Sequence, residues 1–176
     1  MSFLKTIRNN TSINGFDGKT WPPSHPIRLE SLIVENIPKG ASFARQGLMC
    51  HLGIEIVDVL PGAVTLQVPF SQSLTQQHGY FHGGVMGAIG DSAAGYAGLT
   101  LTPPGSEVVS VEYKINFTTP GAGERIIAKG TVKRAGRTLI VTNADLFVEK
   151  AGTQSLCATI QQTIMVLSAN ETRPAG

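Results

Sequence analysis

Alternation of apolar and polar positions lays out most of this chain. Ile54-Glu55-Ile56-Val57-Asp58-Val59-Leu60 alternates, Pro61-Gly62 turns, and Ala63-Val64-Thr65-Leu66-Gln67-Val68 alternates again, which predicts a β-hairpin. Val108 to Phe117, Arg125 to Arg134, Arg137 to Glu149 and Thr153 to Val166 read as four further strands. Pro120-Gly121, Ala135-Gly136 and Ala151-Gly152 separate them, and three close turns predict an antiparallel meander.

A different pattern lies between hairpin and meander. From Gly83 to Leu101 there is no proline and only one charge, and Gly83, Gly84, Gly87, Ala88, Gly90, Ala93, Ala94, Gly95, Ala97 and Gly98 are all small. Each glycine lowers helix propensity by ~1 kcal/mol. Small residues on every side nevertheless let other backbones approach, so the segment is expected to be a central helix held by packing. A glycine-rich loop is the competing reading. Pro103-Pro104-Gly105 stops it, and Ser71 to Phe81 is a polar loop before it. Further upstream, Ser42 reads as the N-cap of a helix through about Cys50 that ends at Gly53. The prolines of Trp21-Pro22-Pro23-Ser24-His25-Pro26 exclude a helix or central strand there, and a short helix fits Leu29 to Asn36. The expected class is α+β, an antiparallel sheet wrapped around one long central helix. The expected organisation is an extension over 1–40, a domain over 41–168 and a tail over 169–176.

Composition narrows the function. The 176 residues suit one domain, and 15% charged residues is low against the ~25% usual for soluble domains, which suggests that another subunit covers part of the surface. A net charge of +2 without a Lys/Arg cluster argues against nucleic acid as a partner. Cys50 and Cys157 lack the spacing of a disulfide framework or zinc site, and read as small core residues in a reducing compartment. Neither an apolar signal-peptide core nor a run of 18 apolar residues is found, so a cytoplasmic protein that makes no membrane contact is expected.

Chemistry concentrates in His82-Gly83-Gly84-Val85-Met86-Gly87-Ala88-Ile89-Gly90-Asp91. The first amides of a helix are unpaired and carry partial positive charge. Glycine lets an oxygen approach them, so the Gly83 amide could hold a developing oxyanion, a contribution of ~3 kcal/mol. Asp91 is the only acid between Asp58 and Glu107, and sits among small apolar residues. It is expected to be buried, as a nucleophile, as a general base acting through water, or as a hydrogen-bonded structural acid. His82 either fixes the loop or contacts the substrate. Gln76 either orients water or carbonyl through its amide or is an exposed loop residue. Ser110 could hold a water near the carboxylate. His78 and His82 have no third ligand at a convincing spacing, so no metal is expected. At 1.5 Å per residue, Asp91 lies ~12 Å along the helix from the Gly83 amide, too far for one carbonyl to touch both. If both serve one site, they come from different chains, and antiparallel central helices in a two-fold dimer would bring them together.

Together these residues resemble the hotdog-fold acyl-CoA thioesterases, of the PaaI-like and 4-hydroxybenzoyl-CoA thioesterase group. The resemblance rests on Gln76, His82-Gly83-Gly84 and Asp91 in order, then Val109-Ser110-Val111-Glu112, Asn116-Phe117-Thr118-Thr119-Pro120 and Gly136-Arg137-Thr138, and covers roughly Leu48 to Val166. It implies a hotdog fold and hydrolysis of an acyl-CoA thioester, of aryl or medium-chain type, with no cofactor beyond the coenzyme A of the substrate. By the same resemblance Asp91 is the catalytic carboxylate, the Gly83 amide polarises the carbonyl, Gln76 and His82 assist, and Ser110 positions the water. Arg137 and Thr138 would lie near the coenzyme A phosphates, and a homodimer, further paired into a homotetramer, would carry the sites. The pairing of Gln76 with Asp91 mixes two family patterns, in which Asn accompanies Asp and Gln accompanies Glu. A hotdog enoyl-CoA hydratase would need a His placed after its Asp, which Asp91 lacks. A non-catalytic acyl-CoA-binding module is the remaining alternative. Tyr80, Phe81, Met86 and Tyr96 are candidates either for an acyl pocket or for the core.

Overall fold

The computed structural model describes residues 42–167. A 3-10 turn (Phe43–Arg45) leads to the short helix α1 (Gly47–Leu52), and β1 (Glu55–Leu60) and β2 (Ala63–Pro69) follow. A second 3-10 turn (Gln72–Leu74) precedes the long helix α2 (Gly83–Leu99). The chain then runs through β3 (Glu107–Phe117), β4 (Arg125–Ala135), β5 (Leu139–Lys150) and β6 (Thr153–Leu167). All strands join one six-stranded sheet in the order β1-β2-β4-β5-β6-β3, and every neighbouring pair is antiparallel. The helix expected over Leu29 to Asn36, the proline-rich segment and the 169–176 tail lie outside the described residues.

The expected four-strand meander holds only from β4 to β6. β3 pairs with β6 rather than with its successor β4, whose other neighbour is β2. The reason lies in the link around Pro120-Gly121, which is not a tight turn. The Thr118 amide donates to the Cys157 carbonyl (2.9 Å), the Phe81 amide to the Gly121 carbonyl (3.0 Å), and the Glu124 amide to the Glu149 carbonyl (2.7 Å). These bonds carry the link past the start of α2, from one edge of the sheet to its middle. The helix expected from Ser42 is also divided. Ser42 makes no side-chain cap bond, and Gln46 is extended (ψ 97°), so α1 begins only at Gly47. Gly53 does end it, in the left-handed region at φ 70°. Cys157 is buried as expected, and burial pushes its thiol up to about 11, but Cys50 is exposed.

Helix α2 is covered on most sides. Val85, Met86, Ile89, Ala93, Ala94, Ala97 and Leu99 are all buried, which is the pattern of a helix enclosed by its own domain rather than laid on its surface. The sheet supplies Val64, Leu66 and Val68 from β2, Ile126 and Ala128 from β4, Ala144, Leu146 and Val148 from β5, and Ile160 from β6. The backbones come close because side chains are missing at the contact. A Cβ on Gly130 of β4 would lie 2.1 Å from the carbonyl oxygen of Ala93 in α2. The end of the helix is held by hydroxyls. Thr100 donates to the Ala97 carbonyl (2.6 Å), and its oxygen accepts the amide of Gly62 in the β1–β2 turn (2.7 Å).

Gly130→Ala should therefore be far more damaging than an ordinary added methyl, because backbone rather than a flexible side chain occupies the space. The expected loss is at least ~1–3 kcal/mol of unfolding free energy, read by urea titration. Unchanged stability would mean that helix and sheet do not meet at this point.

Candidate active site

Two groups of polar atoms lie along α2, one at its start and one two turns further on. At the start, the Ser71 to Phe81 loop is tied down by the His82 amide on the Leu74 carbonyl (2.8 Å) and the Gln76 amide on the Tyr80 carbonyl (2.9 Å). Phe81 anchors it in the core against Phe70, ring centres 5.6 Å apart. His82 is extended (ψ 138°), as an N-cap must be, and its Nδ1 accepts the Gly84 amide at 2.9 Å. A nitrogen that accepts carries no proton, so the other ring nitrogen is the donor. The Gly83 amide makes no hydrogen bond to the described residues. Of the two adjacent amides, one is used by the cap and the other has no partner among the described residues. Gln76 is half-buried, and its Oε1 accepts the His78 amide, so within one chain it braces its own loop.

The second group centres on Asp91, which is half-buried rather than buried. The Ser110 hydroxyl of β3 donates to Asp91 Oδ1 at 2.5 Å, so in this chain Ser110 holds the carboxylate directly. A register shift between Ser110 and Glu112 leaves Val111 unopposed and marks a bulge beside the acid, the usual device for re-aiming a strand residue. Gln162 of β6 was not singled out from sequence. Its Nε2 donates to the same Oδ1 and to Ser110 Oγ (2.8 Å). The available signal was the inward series Ala158, Ile160, Gln162, Ile164, in which one polar residue interrupts an apolar face. The neighbouring Gln161 and Thr163 disguised it. Asp91 Oδ2 accepts no hydrogen bond from the described residues.

Asp91 and Ser110 line an open-sided chamber of about 580 Å3. Leu48 and Met49 of α1, Gly95, Tyr96 and Leu99 of α2, Gly105 and Ser106, and the first residues of β3, Glu107 and Val108, line it. Tyr96 is fixed by weak bonds to Ser42 and Gln46 (both 3.3 Å) and edge-on to Phe43 (5.5 Å). Burial raises its phenol above the ordinary value. Of the four aromatic and Met candidates only Tyr96 reaches this chamber. Phe81 and Met86 are core, and Tyr80 is exposed. Arg137 and Thr138 line a separate depression of about 410 Å3, which shares Ser106 with the chamber. Among the described residues Arg137 makes no ion pair, and no three His, Cys, Asp or Glu side chains are placed to hold a metal.

The structure thus brings Asp91, Ser110 and Gln162 together, and separately places Gln76 in the loop that leads to His82 and Gly83. It does not join the two groups within a chain, since α2 runs unbroken between them.

The Thioesterase superfamily matches residues 78–155. A crystal structure of a thioesterase family protein from Silicibacter pomeroyi is 38% identical, with a TM-score of 0.72 over 80% of this chain and 98% of that one. Acyl-coenzyme A thioesterase 13 of Homo sapiens is 31% identical over 100 residues, covering 56% of this chain and 71% of that protein. The PaaI protein of the E. coli phenylacetic acid degradation operon shares the fold at 21% identity, with a TM-score of 0.69 over 78% of this chain and 97% of that one.

His82→Ala should cost about 1 kcal/mol of unfolding free energy, the usual loss on removing an N-cap, while His82→Asn should retain most of it. Equal stability of wild type and both variants in urea would show that the Nδ1 contact does not hold the helix start.

Proposed function

We infer that this chain, which belongs to the thioesterase superfamily, hydrolyses an acyl-coenzyme A to a free acid and coenzyme A at a site shared between two protomers. The carrying observation is the split between an unpaired helix-start amide and a carboxylate lying two turns further along the same rigid helix. A thioester carbonyl needs both, because charge builds on its oxygen as a nucleophile adds to its carbon. Two α2 helices packed antiparallel about a two-fold axis would set Asp91 of one protomer beside the partner's Gly83. The edge strand β3 supports such an assembly. It is eleven residues long and exposes Val109, Val111, Tyr113 and Phe117, apolar side chains on an edge strand of the kind that proteins otherwise cover. The family resemblance extends the proposal to a dimer of dimers.

In this arrangement the Gly83 amide polarises the carbonyl while Asp91 acts through its free Oδ2. Either Oδ2 attacks the carbonyl carbon, expels the thiolate and leaves an acyl anhydride that water cleaves, or it takes the proton of a water that attacks directly. Both routes consume one water and yield one acid and one thiol. His82 holds the helix start, and Gln76 sits in the same loop, ready to orient the carbonyl or the water. Arg137 and Thr138 meet the coenzyme A phosphates. Among the described residues Arg137 has no carboxylate partner to displace, and a guanidinium suits phosphate. The acyl group enters the chamber beside Asp91, whose size fits a ring or a medium chain within the ~300–1,000 Å3 typical of ligand pockets.

Asp91→Asn should lower turnover of aryl and medium-chain acyl-CoA at least ~1,000-fold. Gly83→Pro deletes the amide at a helix position where proline is tolerated, once the Phe117 ring, 3.1 Å from a Cβ there, gives way, and should cost ~100- to 1,000-fold. Co-expressing the two inactive variants should restore activity, because a mixed dimer contains one intact site. A mixture as inactive as its parents would refute the shared site, and wild-type turnover by Asp91→Asn would refute the chemistry.

Chain-length selectivity tests the chamber. Gly95 lies one helical turn beyond Asp91, and a Cβ there would meet nothing within 4 Å among the described residues. Gly95→Val should therefore fold normally, lose aryl and medium-chain substrates by roughly tenfold or more, and keep acetyl-CoA or propionyl-CoA turnover. Equal loss across all chain lengths would place the acyl group elsewhere.

A further inference from the structure

Gln162 is wholly buried, yet it has no structural reason to be polar. It stands in the inward series of β6 between Ile160 and Ile164, a place where an apolar side chain would pack against α2. Among the described residues its Oε1 is buried without a hydrogen-bond partner, and so is Oγ1 of Thr142, its cross-strand partner on β5. An unpaired buried oxygen weakens a fold, and so its presence calls for a return elsewhere.

That return is at the other end of the same amide. Nε2 donates one hydrogen to Asp91 Oδ1 and the other to Ser110 Oγ (2.8 Å). Ser110 in turn donates to Asp91 Oδ1 at 2.5 Å. The three groups form a closed triangle in which Gln162 only donates, Asp91 only accepts and Ser110 does both. Because the Ser110 oxygen accepts from Gln162, its hydrogen is driven toward the acid. The reverse amide orientation would aim a carbonyl oxygen at a carboxylate, so the direction follows from the network itself. Both bonds to Asp91 end on Oδ1, which leaves Oδ2 as the oxygen with capacity to react.

We propose that Gln162 is a positioning residue that selects which oxygen of Asp91 does the chemistry, by saturating Oδ1 both directly and through Ser110. The fold gives up some stability to hold that amide in an apolar face. This inference rests on Asp91 being the catalytic carboxylate, and the Asp91→Asn assay tests that reading independently.

The test measures kcat, KM and Tm on one panel of variants. Gln162→Met removes both amide atoms and fills the space with apolar ones. It should lower kcat about 10- to 100-fold with KM within about twofold, as misplacement of a reacting group does, while Tm stays level or rises. Gln162→Glu keeps the shape but turns a donor toward Asp91 into an oxygen, and kcat should fall further. Thr142→Val removes the other unpaired oxygen without touching Asp91, and should raise or preserve Tm at unchanged kcat. Ser110→Ala combined with Gln162→Met should lose less than the product of the single losses, because both act on one oxygen. A purely structural Gln162 predicts the reverse, a lower Tm with kcat per folded molecule unchanged in both Gln162 variants, and that result would overturn the proposal. So would fully multiplicative losses in the double variant. If Asp91→Asn is inactive while Gln162→Met and Gln162→Glu match wild type, the positioning role alone fails.

Discussion

Backbone-to-backbone contact between α2 and the sheet is the constraint on which the rest of this structure depends. At Gly130 the strand lies against the Ala93 carbonyl with no room for a methyl group, and at Gly90 and Gly98 the helix takes the methyl ends of Ile160 and Ile164 where its own side chains would be. That proximity lets a sheet of six strands curve around one helix. It also fixes the depth at which Asp91 lies relative to β3 and β6. Ser110 and Gln162 reach the carboxylate because the helix sits so close; one larger residue at the contact would move the acid out of their range.

Much of this was legible in the sequence. The β1–β2 hairpin follows from alternation and Pro61-Gly62, and the β4, β5 and β6 strands follow from alternation with short turns. The central helix was readable from Gly83 to Leu99 because a proline-free stretch of small residues fits the interior of a curved sheet, although propensity opposes it. The misplaced strand was β3. Its alternation marks it as a strand, but pairing is decided by the link after it, and Pro120-Gly121 looks locally like a tight turn. Only the long-range bonds to Cys157, Phe81 and Glu149 reveal the crossing. Likewise Gln46 divided a helix that Ser42 and Gly53 seemed to bracket, because the break lies in one dihedral angle rather than in residue type.

The candidate site was half legible for a related reason. Motif residues that act through the backbone or through local contacts, such as His82 and Gly83, stand out in a linear sequence. Asp91 stands out by isolation. Gln162 does not, because its meaning comes from a carboxylate 71 residues away in the chain and from the face of β6 that it happens to occupy. A polar residue on an apolar face is visible only once the register of the strand is known, and the Leu146/Phe147 shift in the β5–β6 pairing obscures that register.

The composition of α2 bears on how the chain reaches this state. Built largely from glycine and alanine, the segment gives up almost no side-chain freedom on ordering but pays heavily in backbone freedom, and on its own it has little tendency to be helical. Its helical form therefore arises together with the closing of the sheet, whose pairings join residues far apart in sequence. The acid, the hydroxyl and the amide meet only at that last step. No partly folded form of this chain brings these three groups together, so the contact of Asp91 with Ser110 and Gln162 reports completion of the whole domain.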